Sequence, residues 1–534
     1  MSKTVPLKSS SPEAKSAPPT PSTATPEASP SLPRSGRLER KATPHKKLVG
    51  MSDIRRFFFR NDVPVYFISA TNFNLLSMDE WVRRFRFINY LDCFDGRHPN
   101  VFVPSDQPHE TFESLEQIVN YLLRHPETQE FIRSRGEGAK AAFLFFDEET
   151  EKICADLGLE VCFPPAALRT EVDNKMATTR IGNRAKVRSV PNVLTDKVRS
   201  YADLKKAAAS KKLGKDLVVQ TAFGDSGHTT FFIADEADWQ EHADEITGEG
   251  EIKIMKRIRP RGAALEACVT RAGTIVGPLM TELVGFSELT PYRGGWCGNE
   301  VYAGAFSAKV REQARKKTVA LGAELEKLGY RGYFEVDYLI DEDRGTLYLG
   351  EINPRITGAS SMTNLAAFAH ADAPLFLFHL LEFFDVEFEL DVEALNERWA
   401  AAENIDSWSQ LVIKHTADTV EQVTTAPASG VWQLDEADAS VHFLRPQTHR
   451  RTVERDNEGF FLRITKVGDY RYEGADLGIL ITPGRLMDDN FQLTDRAKAW
   501  IRGIRDQFAA TPIDPVDKLR EAVDMPEVGK FKML

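Results

Sequence analysis

The sequence predicts a multidomain protein of mixed α/β and α+β class, with an N-terminal open α/β layer, a central body of two α+β subdomains and a C-terminal β-rich domain. Three observations carry this. A chain of 534 residues exceeds what one hydrophobic core organises. Strand-like and helix-like patterns alternate over residues 53–168, as in a parallel sheet with covering helices. The segment 405–512 is instead rich in strands.

Residues 1–48 stand apart. Nine of the 28 prolines fall in the first fifty residues, among Ser, Thr, Ala and Lys, so this stretch cannot bury enough apolar surface to offset its ordering entropy and is expected to be a disordered tail. It has no apolar core of a secretory signal; being Ser-rich and poor in acids it leaves a transit peptide as the minority alternative, disfavoured by prolines that would break the helix such peptides use. In the first layer, 63–69, 101–103 and 141–146 read as strands, and 78–90, 114–123 and 149–157 as helices. The body, 169–395, opens with a helix at 172–183, breaks at Val190-Pro191 and continues with a helix at 201–208. Strands follow at 216–221, 229–233, 251–258 and 263–269, then a helix at 308–328 and a long hairpin over 333–353. The apolar run 366–384 is interrupted by His370, Asp372, Pro374, His379 and Glu382 and reads as a buried helix. In the last domain, strands are expected at 410–414, 441–444, 460–467 and 479–481, with a helix at 494–508 and a tail at 513–534.

Composition excludes several functions. Hydrophobic residues at 42% and charged residues at 28% are those of a globular protein, and no membrane partner is expected. A formal net charge of -11 argues against nucleic acid, which demands a basic face. Five cysteines without a Cys-x-x-Cys pair suggest neither a disulfide framework nor a zinc site, and a reducing, cytoplasmic location is expected, with a homodimer as the guess for assembly.

The hairpin is the most informative stretch. Two apolar runs flank the turn-rich Asp-Glu-Asp-Arg-Gly at 341–345. A turn centred on Arg344 puts Asp337 directly opposite Glu351, their Cβ atoms about 4.5–5.5 Å apart, and sets Asn353 and Arg355 on the same face as Glu351. Facing carboxylates repel, and burial makes both costly to ionise. A hard divalent cation with oxygen ligands relieves that repulsion. Solvent-facing acids on an exposed edge are the plainer alternative, which the contiguous Glu-Ile-Asn-Pro-Arg at 351–355 disfavours.

That motif, preceded by Asp337 on the partner strand, resembles the metal-binding signature of the ATP-grasp superfamily. The resemblance implies that Asp337, Glu351 and Asn353 bind Mg²⁺ (or Mn²⁺) bridging the phosphates of ATP, and that Arg355 is catalytic beside the developing acyl phosphate. Ile-Thr-Gly-Ala-Ser-Ser at 356–361 resembles the segment that follows this motif in the family's carboxylate–amine ligases.

The nucleotide end is read the same way. Between two strands lies Gly-Asp-Ser-Gly-His-Thr at 224–229, a loop in which Gly224 and Gly227 allow close backbone approach while Ser226 and His228 add polar groups to a phosphate cover. Asp-Asn-Lys at 173–175 resembles the helix start that introduces ATP-grasp bodies, which makes Lys175 a phosphate and catalytic contact. Lys-Ile-Met-Lys-Arg-Ile at 253–258 resembles the strand that meets adenine, implying contacts from Met255, Lys256, Arg257 and Ile258, with Glu266 a looser polar contact. One departure stands out. Members commonly carry a lysine on the strand before the loop, and Gln220 occupies that place as a neutral ATP contact; Lys175, Lys253 or Arg257 would have to compensate.

The favoured expectation is an ATP-dependent ligase that activates a small-molecule carboxylate as an acyl phosphate and joins it to an amine or similar nucleophile. The three-part layout also resembles biotin carboxylase, although Gly-Trp-Cys-Gly-Asn-Glu at 295–300 and Gly-Ala-Ser-Ser at 358–361 replace that enzyme's basic and acidic stretches. A non-catalytic ATP-binding regulator is the third reading, resting on Gln220. The loop at 290–300 would line the substrate site, with Arg293 pairing to a carboxylate, or would be a surface loop with Trp296 packed inward.

Overall fold

Val65–Ser69 and Lys140–Phe143 are buried along their whole length, as strands covered on both faces must be. In the computed structural model, which describes residues 47–109, 111–224 and 229–513, they are two neighbouring inner strands of a five-stranded parallel sheet. Val101–Phe102, Phe85–Asn89, Val65–Ser69, Lys140–Phe143 and Glu160–Val161 lie in that order. Helices Leu115–Arg124 and Glu148–Leu157 are capped by Ser114 and Asp147, whose side chains accept from the backbone N–H of the first turn. The expected open α/β layer is therefore present, with one correction inside it. The helix read over 78–90 ends at Trp81, and Phe85–Asn89 is a strand instead. Arg84, at φ 67°, turns the chain between them, and the Phe-Arg-Phe-Ile run suits a pleated, buried surface. The two expected tails lie almost wholly outside the described residues.

The body holds two antiparallel sheets. The smaller has the order Asn192–Thr195, Ile252–Lys256, Leu217–Gln220, Thr230–Ile233. Its Ile254, Val219 and Ile233 pack with Leu204 and Trp239 of helices Tyr201–Ser210 and Glu236–Gly248. The larger sheet has ten strands and begins at the hairpin: Thr346–Asn353, Gly332–Asp341, Pro260–Thr270, Gly273–Val284, Trp296–Val301. It then continues without interruption into Trp408–Lys414, Asp476–Pro483, Glu458–Arg463, Gly430–Leu434 and Val441–Arg445. The β-rich third is thus hydrogen-bonded to the body through Asn299↔Gln410 and its neighbours, so no break in the sheet marks the boundary expected near residue 400.

Strands Gly273–Val284 and Trp296–Val301 had no counterpart in the sequence reading. The apolar run 366–384 forms two short helices, Ala367–Ala371 and Leu375–Phe383, parted by Asp372 and Pro374. Among the described residues no helix is long and apolar enough to cross a membrane. All five cysteines are buried.

Candidate active site

The hairpin places its acids on one face. Glu335 stands opposite Asn353 and Asp337 opposite Glu351. Beyond that pair the register slips at Gly350, so that Tyr338 faces Leu349. The intervening residues Val336, Tyr338 and Ile352 point the other way, into the core under helix Ala308–Lys327. The turn itself closes Asp341 against Thr346 and uses Gly345 at φ 63°.

Burial raises the cost of charge here. Asp337 is pushed well above the usual carboxylate range, first by burial and then by Glu335, Glu282 and Glu351. Glu335 is pushed up by burial and by Glu266 and Glu282. Glu282, on Gly273–Val284, rises to about 7 through burial and the charge of Glu351. Asn353 bridges the acids, donating from Nδ2 to Glu335 Oε2 at 3.2 Å and Asp337 Oδ2 at 3.0 Å. Its Oδ1 accepts from Arg355 at 3.0 Å, and the Arg355 guanidinium lies 4.6 Å over the Phe145 ring of the N-terminal layer.

Lys175 closes the opposite wall. Asn174 caps helix Lys175–Arg184 by accepting from Met176 and Ala177 N–H at 2.8 and 3.2 Å, which leaves Lys175 at the helix start. Its Nζ donates to Gly224 O at 2.5 Å and lies 3.4 Å from Glu351 Oε2. One lysine thereby links the glycine loop to the acid-bearing strand. The space enclosed is a cleft of about 540 Å³, walled by Gln220, Gly224 and Thr230 on the small sheet and by Glu282, Asp337 and Glu351 on the large one. Phe145, Trp296 and Thr357 complete it. A volume of this order suits a cofactor-sized ligand.

The donor set fits a hard divalent cation: oxygen atoms from mutually repelling carboxylates, with no soft ligand among them. Among the described residues no three His, Cys, Asp or Glu side chains are arranged to hold a metal ion by themselves. Mg²⁺ ordinarily takes one or two carboxylates and completes its shell with phosphate oxygens and water. As placed, the Asn353 oxygen faces Arg355 rather than the acids, so serving as a ligand would require its amide to turn.

No protein-family model matches the sequence, and no curated protein sequence is similar to it. Solved structures are. Biotin carboxylase of Campylobacter jejuni is similar at 13% identity and a TM-score of 0.56, over 87% of this chain and 96% of that one. L-amino acid ligase of Bacillus licheniformis is similar at 16% identity and 0.50, over 85% and 99%. Carboxyaminoimidazole ribonucleotide synthase of Aspergillus clavatus, complexed with ATP, is similar at 12% and 0.50, over 79% and 94%. This chain has the ATP-grasp fold.

Within this ATP-grasp fold, Lys175, Gln220, Gly224, Asp337, Glu351, Asn353 and Arg355 all line one cleft. Ser226, Gly227 and His228 lie outside the described residues. Met255 is buried with Val190 and Val218, and Ile258 and Leu339 pack on that apolar cluster beside the cleft. Neither of the two cations between Met255 and Ile258 is part of the cleft wall. Lys256 is half-buried at the end of its strand, and Arg257 turns away to Asp216 at 3.3 Å and stacks on Phe232.

Glu266 is not a cleft residue. It pairs across the sheet with Glu335, but residues 357–360 cover it, and its carboxylate accepts from Tyr333 and Ser360 hydroxyls at 2.5 Å and Thr357 at 3.0 Å. Arg293 is absent from the cleft wall, whereas Trp296 is part of it, its ring packed on Gly358. Glu282 and Glu335 are acids the sequence reading passed over. Glu335 was reachable from period-2 alternation with Asp337, and Glu282 from the Met-Thr-Glu-Leu-Val alternation at 280–284.

Proposed function

We propose that this protein is an ATP-dependent ligase that activates a carboxylate and transfers its acyl group to an amine or similar nucleophile, releasing ADP and phosphate. The observation that carries the reading is the Asp337–Glu351 pair facing Lys175 across a single cleft, in an ATP-grasp fold shared with ligases. Adenine is assigned to the apolar cluster of Val190, Val218, Met255 and Ile258, and the phosphates to Lys175 and the backbone at Gly224. Asp337, Glu351 and Asn353 would hold Mg²⁺, which when bound neutralises phosphate charge.

The chemistry is then written in two displacements. A substrate carboxylate oxygen bonds to the γ-phosphorus as the bond to the β-phosphate oxygen breaks and ADP leaves. The nucleophile bonds to the acyl carbon as the carbon–oxygen bond to phosphate breaks, the phosphate taking the electron pair. Arg355, whose Nε is buried without a partner among the described residues, is assigned to the substrate carboxylate and the charge that develops on it. Glu282, held near neutrality at about 7, is assigned the proton that the nucleophile releases.

Biotin carboxylase-like chemistry is the second reading, favoured by the 0.56 TM-score. Against it, the strand that the resemblance would require to carry basic groups brings Asn299 and Glu300, both fully buried. Glu300 accepts from Ser409 and from the Leu486 and Met487 N–H groups. Release of ADP is the deciding measurement, against panels of amino acids, polyamines and small acids, with biotin plus bicarbonate in parallel. Turnover confined to the biotin arm would reverse the ranking. MgATP binding without ADP release in any arm would leave a regulatory ATP-binding protein.

A further inference from the structure

Lys253 lies on the strand between Asn192–Thr195 and Leu217–Gln220, and its register partner is Gln220. Directly opposed residues send their side chains to the same face, and Gln220 lines the cleft. Two residues along each strand, Met255 and Val218 oppose each other on that face in the apolar cluster beside the cleft. The alternate residues Ile252 and Ile254 fill the core on the other side. Lys253 therefore points at the cleft from underneath.

Its surroundings lack an anion of its own. Lys253 is 1% exposed, and among the described residues no hydrogen bond or ion pair holds its ammonium. The charges that reach it are those of Glu351 and Lys175. Glu351 is already engaged by Lys175 at 3.4 Å, so one carboxylate serves two buried ammonium groups. A buried cation without its own counter-charge is strongly unfavourable unless something in the functioning state supplies one. The wider cleft makes the position more telling. Among the described residues its wall carries six carboxylates and two cations, Lys175 and Arg355, so a polyanion has little to meet except at the end where Lys253 sits. Gln220 offers no charge there, and its amide already donates to Thr230 Oγ1 at 3.2 Å. Arg257 faces Asp216 instead.

We infer that Lys253 is a phosphate-binding residue, its ammonium taking an oxygen of a nucleoside di- or triphosphate chain alongside Lys175, from the strand next to the one that carries Gln220. This rests on the ATP-dependent reading above and names the group that makes the site selective for the phosphate chain over the nucleoside.

The test is calorimetric binding of MgATP, MgADP and adenosine to the full chain and to Lys253→Met, Lys253→Arg and the exchange variant Gln220→Lys/Lys253→Gln. Loss of one charged hydrogen bond predicts an affinity drop of about 10- to 100-fold for MgATP and MgADP in Lys253→Met. Adenosine affinity should change less than about threefold. Lys253→Arg and the exchange variant should recover most of the loss, since the cation returns to the same face. If Lys253→Met fails to fold, the exchange variant carries the test: nucleotide binding near that of the unaltered chain supports the inference, and failure to bind overturns it. Unchanged MgATP affinity in Lys253→Met, or an equal loss for adenosine, overturns the inference and leaves the ligase reading standing. An unaltered chain that binds neither MgATP nor MgADP overturns both.

Discussion

Asp337 stands directly across the ladder from Glu351, and the one-residue bulge at Gly350 lies immediately beyond them. Like charges so placed destabilise a sheet, and a Cβ on Gly350 would come within 2.9 Å of the Asp337 carbonyl, so backbone and charge are both held tightly here. Two opposite effects should therefore separate on substitution. Asp337→Asn and Glu351→Gln are expected to lower Mg²⁺-dependent ATP affinity at least tenfold, about 1.4 kcal/mol, by calorimetry with and without the ion. Without ligand, Asp337→Asn should melt at or above the temperature of the unaltered chain, because repulsion is removed, whereas Glu351→Gln, which takes the counter-charge from Lys175 and Lys253, should melt lower. A lower melting temperature of Asp337→Asn together with unchanged affinity would refute the metal assignment.

Glu282 yields a kinetic prediction. A carboxyl that must accept a proton works only when ionised, so with its pKa raised to about 7 the rate should climb with pH through that value and fall away below it. Glu282→Gln is expected to reduce kcat by about 100-fold or more, to abolish that acidic limb and to leave MgATP binding unaltered. An acidic limb that persists in the variant would assign the proton to another group.

The pairing of Asp337 with Glu351 was legible in the sequence, yet for a partly accidental reason. The turn expected at Arg344 sits half a residue earlier, closing Asp341 on Thr346, and the bulge at Gly350 restores the register the expectation required. Neither shift can be read locally, since both depend on how the strand meets its neighbour. The strand Phe85–Asn89 departs from the expected helix because apolar residues spaced three and four apart over 78–88 mimic a helical face. Glu266 shows a different limit. Alternation places it on the cleft's face, but only the return of residues 357–360 across the sheet covers it. Lys253 was visible as one candidate among three; its partnership with Gln220 is a fact of sheet order, which the sequence does not record.

Glu266 should support the site rather than take part in it. Its carboxylate collects hydroxyls from Tyr333, Thr357 and Ser360, and Thr357 is itself in the cleft wall. Glu266→Ala leaves those buried hydroxyls unsatisfied, which predicts a loss of about 2–4 kcal/mol in denaturant unfolding. Because the segment behind Arg355 loosens, KM for the carboxylate substrate should rise more than KM for ATP. A lower apparent kcat with both KM values unchanged would make the effect a general loss of folded protein.

His379 predicts how stability depends on acidity. It is fully buried, accepts from Tyr333 N–H at Nδ1 at 2.9 Å, and faces Cys162 O at 2.7 Å through Nε2, so the neutral ring with a proton on Nε2 joins the hairpin's first strand to the N-terminal layer. Burial, aided by the nearby charge of Arg331, pushes it down to about 3 against an ordinary value of 6.5. Above pH 6.5 the ring is neutral folded or unfolded and the full stability is present. Below that, the unfolded chain binds a proton that the folded one refuses, and stability falls by about 1.4 kcal/mol per pH unit until the folded value is approached. His379→Gln keeps one acceptor and one donor but cannot titrate. Comparing unfolding free energies at pH 6.5 and 5, the unaltered chain should lose about 2 kcal/mol more than the variant. Parallel losses in the two proteins would place the acid sensitivity elsewhere, since the only difference between them is the titrating ring.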